Sequence, residues 1–564
     1  MRHFVNYKHL NTLLADNYSP QSMPTSSQQA SGLLVLPALL VAALVSLPII
    51  VTLLSLAQPA SPIWDHLRDT VLNEYLLNTL ALMMLTGGLS LLLGVSTGWL
   101  IGACHFRGRA TLSWLLMLPL ASPAYIIAYV YTDLLEVSGP VQTTLRAWLS
   151  LGINDLQFPP IRNLTGAAVL LSLVLYPYVY LLARNSFAGR SGAQFDAARV
   201  LGHGPFSAFF RVALPAARPA IVGGLALVLM ETLADFGVVS YFSVPTFSTG
   251  IFRTWLGLGE PQAALKLASL MLLFVIVLIG LEESNRRGAV DRSDISSASQ
   301  INLTGIRATL AIGVCVLPIV LGFVIPVLTL AIYAFDNVNA VTQSKFAELA
   351  LNSITLAVTA GIGVTLIAWV LAYVKRLHPS SLTHGLIRIS TLGYALPGIL
   401  LAVALLKPIG NFDHWLVQAL PGVSTPLLSG SLFLLLYAYL CRFLTVAYQS
   451  VDSGFASISH DVDAAARTLG ANTGEMIRKV HFPLLQPSIL AACLLVFVDV
   501  MRELPATLIL RPFNFDTLAT QVYRLASDER LGEASGAALL IVILGVLPVV
   551  LLQRSKSRGA DSNS

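Results

Sequence analysis

The sequence predicts an all-α polytopic membrane protein, with about twelve transmembrane helices in two parallel-oriented six-helix repeats. Three observations carry this. The 564 residues are 55% hydrophobic and 11% charged, with a mean hydropathy of +0.74, whereas soluble domains carry about 25% charged residues. Apolar runs long enough to cross a bilayer recur along the whole chain. One polar loop recurs 268 positions after its first occurrence, between apolar runs of the same kind.

Residues 1–31, polar and rich in Ser and Gln, are expected to form a cytoplasmic N-terminal tail. The apolar run 32–57 that follows exceeds the roughly 7–15 residues of a signal-peptide core, so it reads as an uncleaved first span. At about 20 apolar residues per helix, further spans of the first repeat (32–281) fall near 76–104, 110–134, 165–186, 217–241 and 264–281. The second repeat (307–553) has spans near 307–334, 350–374, 384–408, 427–448, 486–508 and 535–552. Between them, 282–306 is a cytoplasmic linker rich in Ser, Arg and Asp, and 554–564 is a cytoplasmic tail.

Lys and Arg accumulate on the cytoplasmic side of membrane proteins. With the N-terminus inside, about 23 of the 34 Lys and Arg fall on cytoplasmic segments, about 10 outside, and one, Arg502, within a span. Six spans return the chain to its starting side, so the repeats share one orientation and are expected to be related by an axis along the membrane normal. The net charge of +5 follows from this topology; the basic residues are scattered and no basic-aromatic module points to nucleic acid. Cys104, Cys315, Cys441 and Cys493 are widely separated in or beside apolar runs, which excludes a C-x-x-C framework. His105, His203 and His481 fall on the inner side and read as loop residues, not ligands.

The repeated loops occupy 190–215 and 458–483. In the first, Asp196, Ala197, Ala198, Arg199, Val200, Leu201 and Gly202 lead to Pro215; in the second, Asp463, Ala464, Ala465, Ala466, Arg467, Thr468, Leu469 and Gly470 lead to Pro483. A short Ala-rich helix ended by Gly and joined through Pro to a span suits docking into a groove on a soluble partner; an amphipathic connector lying on lipid is the alternative. The duplication extends further: Asn78-Thr79 pairs with Asn352-Ser353, and Leu118-Pro119 with Leu396-Pro397.

These loops resemble the coupling-loop signature of membrane subunits of binding-protein-dependent ABC importers: Glu-Ala-Ala, three residues, Gly, nine residues, Ile-x-Leu-Pro. Asp196 stands in the acidic place of the first copy, while the second has Ala464 there and Asp463 one residue earlier. The resemblance implies a type I importer-like fold and docking of the loops on two copies of a cytoplasmic ABC ATPase. No G-x-x-x-x-G-K-[ST] occurs, so this chain is not expected to be an enzyme or to bind a cofactor, and ATP is used by the partner subunit.

Beyond each loop the next span carries acids at matching places: Glu231 and Asp235, then Asp499 and Glu503, with Arg502 beside them. Residues four apart share a helix face, and a charge at a helix centre costs about 2.5–3.5 kcal/mol on insertion scales. These five residues are therefore candidates for a translocation pathway between the halves; a structural Asp499–Arg502 ion pair with partly solvated acids is the alternative. At 1.5 Å per residue, Glu231 lies about 24 Å beyond Pro215, toward the outer side. Each span is expected to carry its two acids on one helix face. Such an acidic mouth favours a hard, oxygen-seeking cation. Tyr125, Tyr129, Tyr176 and Tyr178 could supply phenolate ligands, or form an aromatic belt near the interface.

Flanking residues narrow the resemblance. Leu233-Ala234-Asp235-Phe236-Gly237 with Tyr241–Gly250, and Arg502-Glu503-Leu504-Pro505-Ala506-Thr507 with Arg511–Thr520 and Tyr523–Arg530, are similar to ferric-iron (Fe3+) importer permeases. The similarity covers roughly 75–285 and 350–553. It implies a bacterial inner-membrane location, a periplasmic or lipid-anchored Fe3+-binding protein outside, and the dedicated ATPase inside. A permease for thiamine or a phosphonate, and a proton-coupled secondary transporter with twelve spans and intramembrane carboxylates, remain alternatives.

Overall fold

A computed structural model describes residues 28–59, 61–287, 301–338, 344–420 and 425–561. Most of the expected N-terminal tail and of the linker therefore lies outside the described residues. The first repeat runs α1 (Gln28–Leu54), α2 (Pro62–Thr70), α3 (Leu72–Ala103), β1 (Cys104–His105), α4 (Arg109–Leu115), α5 (Ala124–Leu135), α6 (Pro140–Leu149), α7 (Leu164–Ala188), α8 (Arg190–Val200), α9 (Pro205–Ala234), α10 (Gly237–Tyr241), α11 (Phe247–Phe252) and α12 (Pro261–Arg287). After β2 (Ile301–Asn302), the second runs α13 (Ile306–Asp336), α14 (Ser344–Leu377), α15 (Ser381–Ser390), α16 (Gly398–Ala419), α17 (Leu432–Ala456), α18 (His460–Thr468), α19 (Thr473–Met501), α20 (Pro505–Leu510), α21 (Leu518–Ser527) and α22 (Leu531–Asp561).

Among the described residues, eleven helices are long and apolar enough to cross a membrane. A twelfth crossing exists only as a pair, Arg109–Ala121 with Ala124–Leu149, bent by 89°. The expected straight span 110–134 is thus broken. Pro119 lies in a 3-10 turn over Leu118–Ala121, and Pro123, at φ −57° and ψ 134°, starts α5 from an extended backbone. Proline lacks the N–H that would continue the ladder. The second repeat repeats this break with a 3-10 turn over Leu392–Ala395 and Pro397 at φ −57° and ψ 140°. Ser122-Pro123 is therefore the true counterpart of Leu396-Pro397, 274 positions apart, which corrects the expected pairing with Leu118-Pro119. The expected span 384–408 likewise divides into α15, the turn and α16.

The 274-residue offset also relates the helix residues that pin the connecting loops, whose own contacts recur 271 positions apart. Asn78 Nδ2 donates to Pro245 O at 3.1 Å and Asn352 Nδ2 to Asp516 O at 3.2 Å. Thr79 Oγ1 accepts from Phe247 N at 3.2 Å, and Ser353 Oγ from Leu518 N at 2.8 Å. Capping boxes, Thr246 with Thr249 and Thr517 with Thr520, start α11 and α21. Each returning outer loop is thus pinned to the start of the long helix of its own repeat.

The first helix of each repeat reaches across to the other while staying packed on its own. α1 packs on α15 and α16, and α13 packs on α3 and α5. Two tyrosines secure the crossing: Tyr437 donates to Leu44 O at 2.7 Å, and Tyr131 to Leu321 O at 2.6 Å. Parallel pairing of β1 with β2 joins the end of the linker to the loop after α3. The halves recognised in the sequence are therefore interlocked.

Within the first repeat the tightest seam joins α3 to α7. Gly94, Gly98 and Gly102 recur every fourth residue, so they line one face. A Cβ at Gly94 would lie 2.6 Å from Val179 Cβ, one at Gly98 3.0 Å from Ala183 Cβ, and one at Gly102 2.8 Å from Arg184 O. Small residues let backbones approach where lipid supplies no hydrophobic drive between helices. Replacing Gly94 with Leu should destabilise the detergent-solubilised protein by about 1–3 kcal/mol, the usual range for overpacking. Gly88→Leu, on an exposed face with no atom within 4 Å, should leave it unchanged. Thermal aggregation midpoints of the two variants measure the contrast.

Candidate functional site

The repeated loops fold as helices α8 and α18 with the same end. His203 N donates to Ala198 O and Gly202 N to Arg199 O, both at 3.1 Å; Ala471 N donates to Ala466 O and Gly470 N to Arg467 O, both at 3.0 Å. This double closure is a Schellman motif, which requires a left-handed residue. Gly202 and Gly470 supply it at φ +91° and +83°. Ala198 and Ala466 face inward, Ala197, Ala465, Arg199 and Arg467 outward. Val200, Leu201 and Leu469 stand more than four-fifths exposed at the tips. Asp196 is half-buried on α8.

Each tip leads into a π turn, Phe209–Ala213 or Ile477–His481, closed by Leu214 N on Phe209 O or Phe482 N on Ile477 O. Pro215 and Pro483 come directly after. A proline ring clashes with the carbonyl four residues back, and the widened turn gives that carbonyl room. The fixed nine-residue interval between Gly and the closing segment thus has a structural origin.

The joint beneath each loop differs sharply between repeats. In the first, Trp99 of α3 meets Phe187 of α7 at 5.1 Å, Phe195 of α8 at 5.0 Å and Phe209 of α9 at 4.7 Å between ring centroids. In the second, Asp463, where the first repeat has Phe195, accepts from Arg376 Nε of α14 and His481 Nε2 of α19, both at 2.9 Å. Arg376 also donates to the carbonyls of Ile458 and Ser459 at 3.0 and 3.2 Å. His481 is fully buried, correcting its reading as a loop residue. Burial raises the Asp463 carboxyl, but the hydrogen bonds and charges of Arg376 and His481 outweigh it and hold the group below its ordinary value. A lowered folded-state value means that the ion pair contributes above the ordinary carboxylate range and is lost only as pH falls through the lowered value.

The second group of candidates converges on one cavity of about 140 Å³ between the repeats, lined by Glu231, Asp235, Asp499, Arg502 and Glu503. The acids do not share a helix face in pairs as expected, because each long helix ends before its second acid. α9 stops at Ala234, with Asp235 at ψ 131°, and α19 stops at Met501. Only Glu231 and Asp499 are on the long helices. Asp235 Oδ2 instead accepts from Val238 N and Val239 N at 3.1 and 3.2 Å, and Glu503 accepts from Ala506 N and Thr507 N, both at 3.0 Å. Each carboxylate therefore starts the short helix beyond its break.

Asp499 pairs with Arg502 at 2.5 Å, and Arg502 Nη1 donates to Leu120 O at 2.9 Å. Glu231 Oε1 accepts from the Tyr394 hydroxyl at 3.2 Å. Sequence reasoning missed Tyr394 and also Arg442, whose Nη1 lies 3.7 Å from Glu503 Oε1. A guanidinium in the middle of span 427–448 was a legible signal. Arg502 is therefore not alone: four carboxylates face two guanidiniums around the cavity, leaving two excess negative charges when all are ionised.

The four tyrosines separate. Tyr125 and Tyr178 line the cavity, and the Tyr125 hydroxyl is buried without a partner. Tyr129 stands behind, 5.8 Å from Tyr125 and 4.5 Å from Tyr241 between centroids. Tyr176 points elsewhere and donates to Leu116 O at 2.9 Å. Tyr125, Tyr129 and Tyr176 are core residues, not an interfacial belt. Among the described residues no group of three or more His, Cys, Asp or Glu side chains is arranged to hold a metal ion.

Comparison with known proteins matches the model of the family described as "Binding-protein-dependent transport system inner membrane component" to residues 90–282 and 364–559. Each matched segment contains one repeated loop. The chain is similar to the Fe(3+)-transport system permease protein FbpB 2 of Haemophilus influenzae, at 25% identity over 85% of this chain and 90% of the relative. It is similar to the probable ABC transporter permease protein y4fN of Sinorhizobium fredii, at 24% identity over 70% and 72%. Similarity to the molybdenum transport system permease protein ModB of Escherichia coli is 28% over 27% of this chain and 64% of the relative. Duplicated loop, interlocked spans and a family match over both repeats lead to one conclusion. The chain belongs to the binding-protein-dependent transport system inner membrane component family: it is a bacterial, multi-pass permease subunit of an ABC importer, non-catalytic, of a class that works with an ABC ATPase and a periplasmic binding protein.

Proposed function

We propose that this permease conducts Fe3+, delivered by a periplasmic or lipid-anchored binding protein, through the cavity between its repeats. The observation that carries this reading is the cavity's donor chemistry. Glu231, Asp235, Asp499 and Glu503 face a space also lined by Tyr125, Tyr178 and Tyr394, an oxygen-rich set suited to a hard cation. An anion such as molybdate or a phosphonate would meet the excess negative charge, because Arg442 and Arg502 already face Glu503 and Asp499. One of the two relatives matched over most of both chains carries the name of an Fe(3+) permease, which agrees with the cavity. Loops 190–215 and 458–483 serve as the docking elements for two ATPase subunits, with the exposed Val200, Leu201 and Leu469 as their contact tips.

The cargo is tested by reconstitution with candidate ATPase and binding proteins, measuring ATP hydrolysis. Iron-loaded binding protein should stimulate it. Stimulation by a phosphonate-, molybdate- or thiamine-loaded partner, with none by iron, would sink the cargo assignment and leave the permease architecture standing. Glu231→Gln removes one charge yet keeps an acceptor for Tyr394, so uptake should fall about tenfold, equivalent to ~1.4 kcal/mol of lost stabilisation, with ATPase binding unchanged. Asp499→Asn is a poorer probe, since it leaves the half-buried Arg502 guanidinium without its carboxylate. Leu201→Asp and Leu469→Asp, at the exposed tips, should instead reduce co-purification of the ATPase while the permease still reaches the membrane.

A further inference from the structure

A second space, about 510 Å³, adjoins the acidic cavity on the side of the α12 C-terminus and is lined by Met230, Glu282, Glu283, Arg388, Thr445 and Gln449. By the charge distribution of the loops this is the cytoplasmic side. Tyr394 lines both spaces. Its hydroxyl bonds Glu231 at 3.2 Å and also meets the hydroxyl of Tyr178. At the opposite end the repeats are held together. Ser240 Oγ and Tyr523 OH are 3.0 Å apart, and Arg162 bridges Glu136 of its own repeat at 2.9 Å to Glu529 of the other at 3.4 Å.

The position of Tyr394 is set by the duplication. It sits in the 3-10 turn Leu392–Ala395, whose counterpart is Leu118–Ala121, so the residue matching Tyr394 is Leu120. Both turns reach across to the end of the other repeat's coupled helix: Tyr394 to Glu231 of α9, and Leu120 through its carbonyl to Arg502 beside Asp499. Of the two turns, only the second offers a side chain that can swing away, that of Tyr394; the first offers its backbone carbonyl to the Arg502 side chain.

We infer that Tyr394 is the inner gate of the permease: its ring separates the acidic cavity from the cytoplasmic vestibule, and its bond to Glu231 keeps the gate shut. The inference rests on reading the cavity as the translocation path but is independent of the cargo. α9 carries Glu231 at one end and follows the first coupling loop at the other, so movement of that loop relative to the second repeat breaks the gate's bond.

The test places a cysteine at Ala234, in the cavity wall, in full-length protein whose four native cysteines are replaced, assembled with its ATPase in inside-out vesicles without cargo. A membrane-impermeant thiol reagent then reports access from the cytoplasmic face. Tyr394→Ala should raise the labelling rate about tenfold, the population shift of a lost bond and ring. Tyr394→Phe, keeping the ring, should raise it by less. A cysteine at Gln449, in the vestibule, should label rapidly in every background and report that the protein is folded. An unchanged rate at position 234 in Tyr394→Ala, or a Gln449 cysteine closed to the reagent, overturns the gate. Raised labelling with unchanged uptake would instead sink the pathway reading and the gate's role with it, whereas failure of the iron assignment would leave the labelling result untouched.

Discussion

Breaking a helix at membrane depth frees backbone N–H groups that have no water to turn to, at several kcal/mol for each one left unpaired. This constraint organises the centre of the permease. At both breaks the chain supplies a carboxylate: Asp235 takes the amides of Val238 and Val239, and Glu503 those of Ala506 and Thr507. The acids therefore divide by role. Asp235 and Glu503 hold the breaks open, while Glu231 and Asp499, still on helical turns, meet partners across the interface or along their own helix. Removing a carboxylate of the first kind would expose amides; removing one of the second kind alters the charge of the cavity.

Duplication explains the architecture, and the differences between copies explain where the permease is not symmetric. The repeated loop, the π turn and the proline recur at one offset, and the asparagine pins and the proline breaks at another. Between these fixed points the chemistry is free to diverge. Under the first loop the joint is aromatic, around Trp99; under the second it is ionic, around Asp463. Ring contacts tolerate sliding with little directional penalty, whereas a buried carboxylate held by a guanidinium and an imidazole has one geometry. The second loop is therefore the more rigidly attached of the two.

Much of this was legible from the sequence, because spans, loop polarity and internal offset depend only on hydropathy and spacing. The acidic cavity was also legible in outline, since five charged residues beside a duplicated loop are costly in a membrane. The misses have physical causes. Pairing acids four apart assumed an unbroken helix, but Asp235 follows the last turn of α9. Asp463, one residue before the acidic place, was counted with the docking residues of its loop, yet three-residue spacing puts it on the same inward face as Ala466. Tyr394 has no local signature at all: its significance comes from a residue of the other repeat. The Gly94, Gly98 and Gly102 stripe, by contrast, was plainly written in the sequence, and its role needed only the identity of the helix it faces.

The same breaks determine how movement at the repeated loops reaches the cavity. α9 is continuous from Pro205 to Ala234, about 45 Å at 1.5 Å per residue. Its π turn and Pro219 lie toward the end nearer the first repeated loop, so the stretch from Ala220 to Glu231 is the part that moves as one rod. A rod cannot absorb a displacement along its length; the displacement appears where the ladder is already interrupted. In this chain that is Asp235 in the first repeat and Arg502–Leu504 in the second, both in the cavity wall. Interlocking of α1 with the second repeat and of α13 with the first prevents the halves from simply parting. Motion of either helix would therefore be felt first where its end meets the opposing 3-10 turn, at the contacts that join Glu231 to Tyr394 and Arg502 to Leu120.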